Sequence, residues 1–247
     1  MRVKEIRARS ILSRSRVFDY AVNPYTGCQY GCAYCYARFM KRFTGHEERW
    51  GDFVDVKVNA AELLRREVTR KPPGRVWVSG VCDPYQPLEE RYELTRGCLE
   101  VLVRCTWPVT VQTKSALVLR DIDLLRWGDG VEVGLTVTTA DDAVRRLFEV
   151  AAPSIAERVH TLDELHRAGI RTYAMIAPML PGAEGLAGVL RGKVDYVLID
   201  RMNYRYGDRV YRRHGLTWAA SDEFFSRTGG ELAAAFRRQA TQCRLLF

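Results

Sequence analysis

The sequence predicts an α/β fold of parallel strands, and three observations carry that prediction. From about residue 75 onward, short β-branched runs alternate with longer helix-forming segments. Several of the helical segments are followed by a glycine placed to stop a helix. Polar or small residues gather at the ends of the strand-like runs. In chain order, residues 20–25 read as a first strand, and residues 60–70 as a helix that Lys71-Pro72-Pro73-Gly74 breaks. Residues 75–78 (Arg-Val-Trp-Val) form the second strand and 94–104 the next helix. The third to sixth strands are expected at 109–113, 131–137, 171–176 and 196–199, separated by helices at 117–127, 155–168 and 183–190. Residues 203–247 read as a loop rich in tyrosine and arginine followed by a helix over 222–238. Parallel strands require right-handed crossovers, so the six βα units form either an open doubly wound sheet or a curved partial barrel. Either fold puts its chemistry at the carboxyl ends of the strands.

A length of 247 residues suits one domain spanning 1–247, with its core at about 18–202. Hydrophobic residues make up 47% and charged residues 28%, which is the globular range and excludes a disordered chain. No stretch approaches the roughly 18 uninterrupted apolar residues of a membrane span, and Met1–Ser10 lacks the apolar run of a signal peptide. A cytoplasmic protein without a membrane partner is expected. Seven cysteines, an odd number irregularly spread, make a poor disulfide framework and agree with reduced thiols available to a metal. The net charge of +8 suits a nucleic-acid partner, and it equally suits a solvated, arginine-rich surface.

The segment Gly27-Cys28-Gln29-Tyr30-Gly31-Cys32-Ala33-Tyr34-Cys35-Tyr36 places three thiols at C-x3-C-x2-C spacing, where the first strand should end. Glycine accepts the backbone conformations that wrapping a loop around a compact inorganic core demands. Structural zinc wants four protein ligands, whereas a 4Fe-4S cluster on Cys28, Cys32 and Cys35 leaves one iron open to an outside ligand. Cys82, Cys98, Cys105 and Cys243 are all distant, so His46 is the nearby residue that would complete a zinc site. The competing reading is a zinc- or cluster-stabilised nucleic acid-binding module without turnover.

The three-cysteine spacing, the aromatic before the third cysteine and the βα alternation together resemble the radical S-adenosylmethionine (SAM) superfamily. The likeness extends to its spore photoproduct lyase-like branch, which includes a DNA repair enzyme. The residues that carry it are Asn23-Pro24-Tyr25-Thr26-Gly27-Cys28, Cys32-Ala33-Tyr34-Cys35-Tyr36-Ala37-Arg38, Cys82-Asp83-Pro84-Tyr85-Gln86-Pro87-Leu88-Glu89, Thr113-Lys114-Ser115 with Arg120-Asp121, and Ala177-Pro178-Met179-Leu180-Pro181-Gly182. The resemblance implies a partial (β/α)6 TIM-type barrel with parallel strands, a 4Fe-4S cluster, and reductive cleavage of SAM to a 5′-deoxyadenosyl radical that abstracts hydrogen from a substrate. It also implies a reductant protein of flavodoxin or ferredoxin type. Nucleic acid repair or modification is the substrate class it favours, with a peptide or small molecule as the alternative.

Site roles follow from the same resemblance. Ser79, Gly80 and Asp83 stand where a glycine-rich acidic turn holds the methionine amino group. Lys114 and Arg158 are placed to pair with the carboxylate, and Thr136 and Thr138 to reach the ribose. The Tyr34 backbone matches a position that recognises adenine. Tyr34 and Tyr36 match a hydrogen-atom relay, and Cys82 lies in the region of its donor cysteine.

Overall fold

The computed structural model describes all 247 residues, as two compact units: Met1–Gly31 with Ala37–Val133, and Cys32–Tyr36 with Gly134–Phe247. In the first unit, β1 (Arg2–Ile6) pairs in parallel with β5 (Phe53–Lys57), and β4 (Tyr25–Thr26) pairs antiparallel with β5. A second set runs in the order β7-β6-β3-β2: β3 (Tyr20–Val22), β6 (Val76–Val78) and β7 (Val109–Thr113) are parallel, while β2 (Leu12–Arg14) is antiparallel to β3. Register puts Val22 opposite Val78 and Val78 opposite Val111, and none of the three is exposed. Such β-branched neighbours on one sheet face pack as a continuous apolar row. The helices of this unit are α1 (Ala60–Val68), α2 (Glu89–Tyr92), α3 (Leu94–Arg104) and α4 (Ile122–Leu125).

Two elements differ from expectation here. The strand expected over residues 20–25 is divided: Tyr20–Val22 joins one sheet and Tyr25–Thr26 the other. Pro24 between them has no N–H to give to a ladder, so the chain turns there. The helix expected over 117–127 begins as a 3₁₀ turn, Ala116–Asp121, capped by Ser115 Oγ, with only Ile122–Leu125 α-helical. At the junction Asp121 is fully buried and accepts from Tyr85, Arg96 and Arg120, so the backbone follows that polar network.

The second unit contains β8 (Glu132–Thr136) from Gly134 on, β9 (Arg171–Ile176), β10 (Tyr196–Ile199) and β11 (Gln242–Leu245), in the order β11-β10-β9-β8. The last three are parallel. Gly134 is required by packing, since a Cβ there would sit 2.1 Å from the Tyr173 ring. Its helices are α5 (Asp142–Phe148), α6 (Ile155–Arg167), α7 (Leu186–Val189), α8 (Asp208–Arg213) and α9 (Asp222–Arg238). A capping box of Ser154 and Glu157 starts α6, and Ser221 Oγ caps α9 by accepting the Phe224 N–H. No helix is long and apolar enough to cross a membrane.

Candidate functional site

The cysteine loop is built by glycines and held by a buried glutamine. Cys28 and Cys32 are buried and Cys35 half-buried. Tight turns bring the Gly31 N–H to the Cys28 carbonyl at 3.2 Å and the Cys35 N–H to the Cys32 carbonyl at 3.1 Å. Gly27 has φ +95°, and a Cβ there would lie 2.3 Å from the Phe53 carbonyl oxygen. No other residue fits. Gln86, with no exposed surface, grips the loop on both sides of Cys28: its Oε1 accepts the Gln29 N–H at 2.9 Å and its Nε2 donates to the Gly27 carbonyl at 3.3 Å. Gln29 reciprocates, its Oε1 accepting the Leu88 N–H at 2.6 Å.

That donor set fits an iron–sulfur cluster. Thiolates are the ligands such clusters take, and hydrogen bonds to the ligand backbone fix the loop. His46, the residue a zinc site would have needed, is engaged elsewhere in the first unit. Its ring nitrogens lie 3.1 Å from Glu48 Oε2 and 3.0 Å from Asp55 Oδ1, and the ring stacks on Phe53. Gln86→Ala leaves the half-buried Gln29 N–H and the buried Gly27 carbonyl without this partner beside Cys28, a cost of about 1–3 kcal/mol. We expect that variant to stay folded by circular dichroism yet release its iron to a chelator several-fold faster than wild type.

The stretch after β6 turns out to be an internal brace. Asp83, expected to receive an ammonium, has both carboxylate oxygens committed within the chain. Oδ1 accepts from the Tyr85 N–H at 3.0 Å and from Thr113 Oγ1 at 2.5 Å, and Oδ2 accepts from the Lys114 N–H at 2.8 Å. Burial pushes its carboxyl above the usual range. Ser79 Oγ donates to Asn23 Oδ1 at 3.0 Å, and the same amide oxygen accepts the Val81 N–H at 3.0 Å. Gly80 is pressed against the Trp77 ring. Cys82 Sγ lies 2.9 Å from Ser79 Oγ and 3.4 Å from the Tyr25 carbonyl, and burial pushes its thiol up to about 12. The S–H hydrogen is therefore retained at neutral pH. Beneath this turn the fully buried Glu89 accepts from Tyr25 Oη at 2.5 Å and from Arg120 at 2.9 Å, while Tyr85 Oη donates to Asp121 at 2.9 Å.

In the second unit, the Tyr34 phenol donates to Glu149. Glu149 follows α5, has no exposed surface and also accepts from Thr138 Oγ1 at 3.3 Å. Burial first, and then the Glu149 carboxylate, hold the Tyr34 phenol well above its usual pKa. Arg158, expected to pair with the methionine carboxylate, lies against its own chain. Its side chain is fully buried, Nη2 lies 2.5 Å from Glu149 Oε2, Nη1 donates to the Thr136 carbonyl at 3.0 Å, and Nε and Nη2 donate to the Pro153 carbonyl. The guanidinium thus binds its own chain, because a buried charge needs a partner and filled donors. Tyr36 differs from Tyr34 in facing solvent, where it stacks on Tyr204 at 6.5 Å.

Sequence reasoning missed Gln86 and Glu149 as site residues. Gln86 lay inside the Asp-Pro-Tyr-Gln-Pro stretch, where a buried amide would have been the signal. Glu149, one carboxylate among many, carried none.

The family model described as the Radical SAM superfamily matches residues 22–184. An uncharacterized protein of Methanocaldococcus jannaschii is 35% identical over 179 residues, 72% of this chain and 67% of that protein. An uncharacterized protein of Mycobacterium tuberculosis is 33% identical over 66% of this chain and 50% of that protein. The Radical SAM Nalpha-GlyT isomerase of Pseudomonas phage M6 is 27% identical over 71% of this chain and 35% of that protein. Among solved structures, spore photoproduct lyase complexed with dinucleoside spore photoproduct gives a TM-score of 0.70 at 15% identity, covering 99% of this chain and 82% of that one. Streptococcus suis SuiB bound to S-adenosylmethionine gives 0.60 at 11% identity, covering 91% and 49%. The chain therefore spans about a third to two thirds of the curated relatives named here. The fold is α/β, the partial TIM-type barrel of mostly parallel strands that these neighbours share. On the family match and the identity to the archaeal relative, this chain belongs to the radical SAM superfamily, whose members use a 4Fe-4S cluster and S-adenosylmethionine.

Proposed function

We propose that the chain is a radical SAM enzyme whose cluster is held by Cys28, Cys32 and Cys35. The observation that carries the reading is the three-thiol loop clamped by Gln86. When bound, the cluster would pass one electron from an external reductant into the sulfonium of SAM, breaking a C–S bond to give methionine and a 5′-deoxyadenosyl radical that takes a hydrogen atom from substrate. A flavodoxin or ferredoxin type of protein in the cytoplasm would supply that electron.

The chain's own residues bind, orient and hold hydrogens. Asp83 fixes the end of β7 and so sets where Lys114 begins, leaving Lys114 as the candidate for the methionine carboxylate. Ser79 and Gly80 form the turn proposed to meet the amino group, and Thr136 and Thr138 the buried polar edge proposed for the ribose. Tyr34 keeps its phenolic hydrogen on Glu149, a carboxylate able to take a proton when the tyrosine is oxidised. Cys82 keeps its S–H, the form that donates a hydrogen atom.

The substrate class we favour is nucleic acid, in repair or modification. Support comes from the basic balance of the chain and from the named substrate of the lyase that shares its fold. The test is to incubate cluster-loaded protein with SAM and dithionite under anaerobic conditions and measure 5′-deoxyadenosine by chromatography. Accumulation above the dithionite-free control supports the reading. No product from protein with a full iron content overturns it.

A further inference from the structure

The second unit carries a cleft that none of the roles above uses. It measures about 270 Å³ and is walled by Met202, Asn203, Tyr204, Asp208, Tyr211 and Phe225, with Arg205 and Arg212 also on its wall. The volume lies just below the ~300–1,000 Å³ of pockets for drug-sized ligands, which suits a single ring system. Tyr211 is 1% exposed, and its hydroxyl is buried without a hydrogen-bond partner. A buried donor left unmatched is costly, and a ligand's polar edge would satisfy it. Burial keeps that hydroxyl protonated and so able to donate.

Two features identify the ligand's chemistry. Tyr204, half exposed on the cleft wall, belongs to a ladder of stacked rings: it lies 5.6 Å from Tyr206 at an interplanar angle of 10° and 6.5 Å from Tyr36 at 22°. Tyr36 immediately follows cluster cysteine Cys35, so the ladder leads from the cysteine loop to the cleft. Around it, the segment 201–213 carries five arginines, at 201, 205, 209, 212 and 213, against one carboxylate, Asp208. Exposed aromatic faces set among cations are how proteins hold unpaired bases and their phosphates.

We propose that this cleft binds an unpaired nucleobase of a single-stranded nucleic acid, with the arginines on the flanking phosphates and the Tyr211 hydroxyl on the base edge. The inference rests on the radical SAM reading and names its substrate class. The base would be held on the same tyrosine ladder that begins at the cluster loop.

The experiment is fluorescence anisotropy with the full chain and a labelled mixed-sequence single-stranded DNA or RNA, with the matching duplex as comparison. Single strands should bind more tightly than duplex, with affinity falling with salt at a log–log slope of about −3.5 for roughly five neutralised phosphates. Tyr204→Ala should weaken binding about tenfold or more, and Tyr211→Phe, which keeps the ring, several-fold. Arg191→Ala, at an exposed residue that is not part of the cleft wall, should bind as wild type. Equal binding of duplex and single strand, or wild-type affinity in both tyrosine variants, would overturn the proposal. So would tighter binding of a tyrosine-containing peptide that Tyr211→Phe weakens. Because 5′-deoxyadenosine release is measured without nucleic acid, its loss would count against the radical reading, whereas a failure in anisotropy would count against the nucleic-acid substrate and leave the radical reading standing.

Discussion

Cys32→Ala is expected to lose cluster iron and to reduce 5′-deoxyadenosine formation by at least about a hundredfold, while the protein remains folded. Cys32 is buried at the centre of the three-thiol spacing, with its carbonyl receiving the Cys35 N–H. Removing it leaves two thiols, and a four-iron cluster on two cysteines has two open irons and a weaker hold. Alanine fills the same backbone turn, so the fold has no reason to fail. Cys105→Ser, at an exposed cysteine outside the loop, serves as the comparison and should match wild type in iron and product. Iron and sulfide analysis after anaerobic reconstitution reads the first effect, and chromatography the second. Iron retained in full by Cys32→Ala would show that the ligand assignment is mistaken.

Arg158→Met is expected to lower stability by about 3–5 kcal/mol. The guanidinium and the Glu149 carboxylate are both fully buried and 2.5 Å apart. Without Arg158 the carboxylate stays fully buried, facing the Tyr34 phenol and Thr138. The Thr136 and Pro153 carbonyls lose their donors as well. Against a typical total of about 5–15 kcal/mol, that loss is visible in urea denaturation. Adding Glu149→Gln to Arg158→Met should recover part of it, since the neutral amide removes the unpaired charge. A loss below about 1 kcal/mol in the single variant would show that the pair is solvated.

Periodicity served well where burial alternated with sequence. The strands Val109–Thr113, Arg171–Ile176 and Tyr196–Ile199 and the helices Leu94–Arg104 and Asp222–Arg238 lie where the residue pattern put them. It failed where pairing was set from elsewhere in the chain. Arg2–Ile6 and Gln242–Leu245 are exposed edge strands rich in polar residues, so no apolar alternation marks them. In the site, cysteine spacing pointed to the metal-binding loop because ligand chemistry is local in sequence. The partners of Asp83 and Arg158 were not readable, since a charge near a strand end looks the same whether it faces a ligand or its own backbone. Gln86 and Glu149 act across 57 and 115 positions on Gln29 and Tyr34, a distance that no window along the chain spans.

The central claim, that three cysteines hold a cluster with one open iron, is tested most directly by electron paramagnetic resonance of the reduced, reconstituted protein with and without SAM. About four irons per chain and a cluster signal that changes when SAM is added are the expected result. A colourless protein holding about one zinc, or a cluster signal indifferent to SAM, would contradict it.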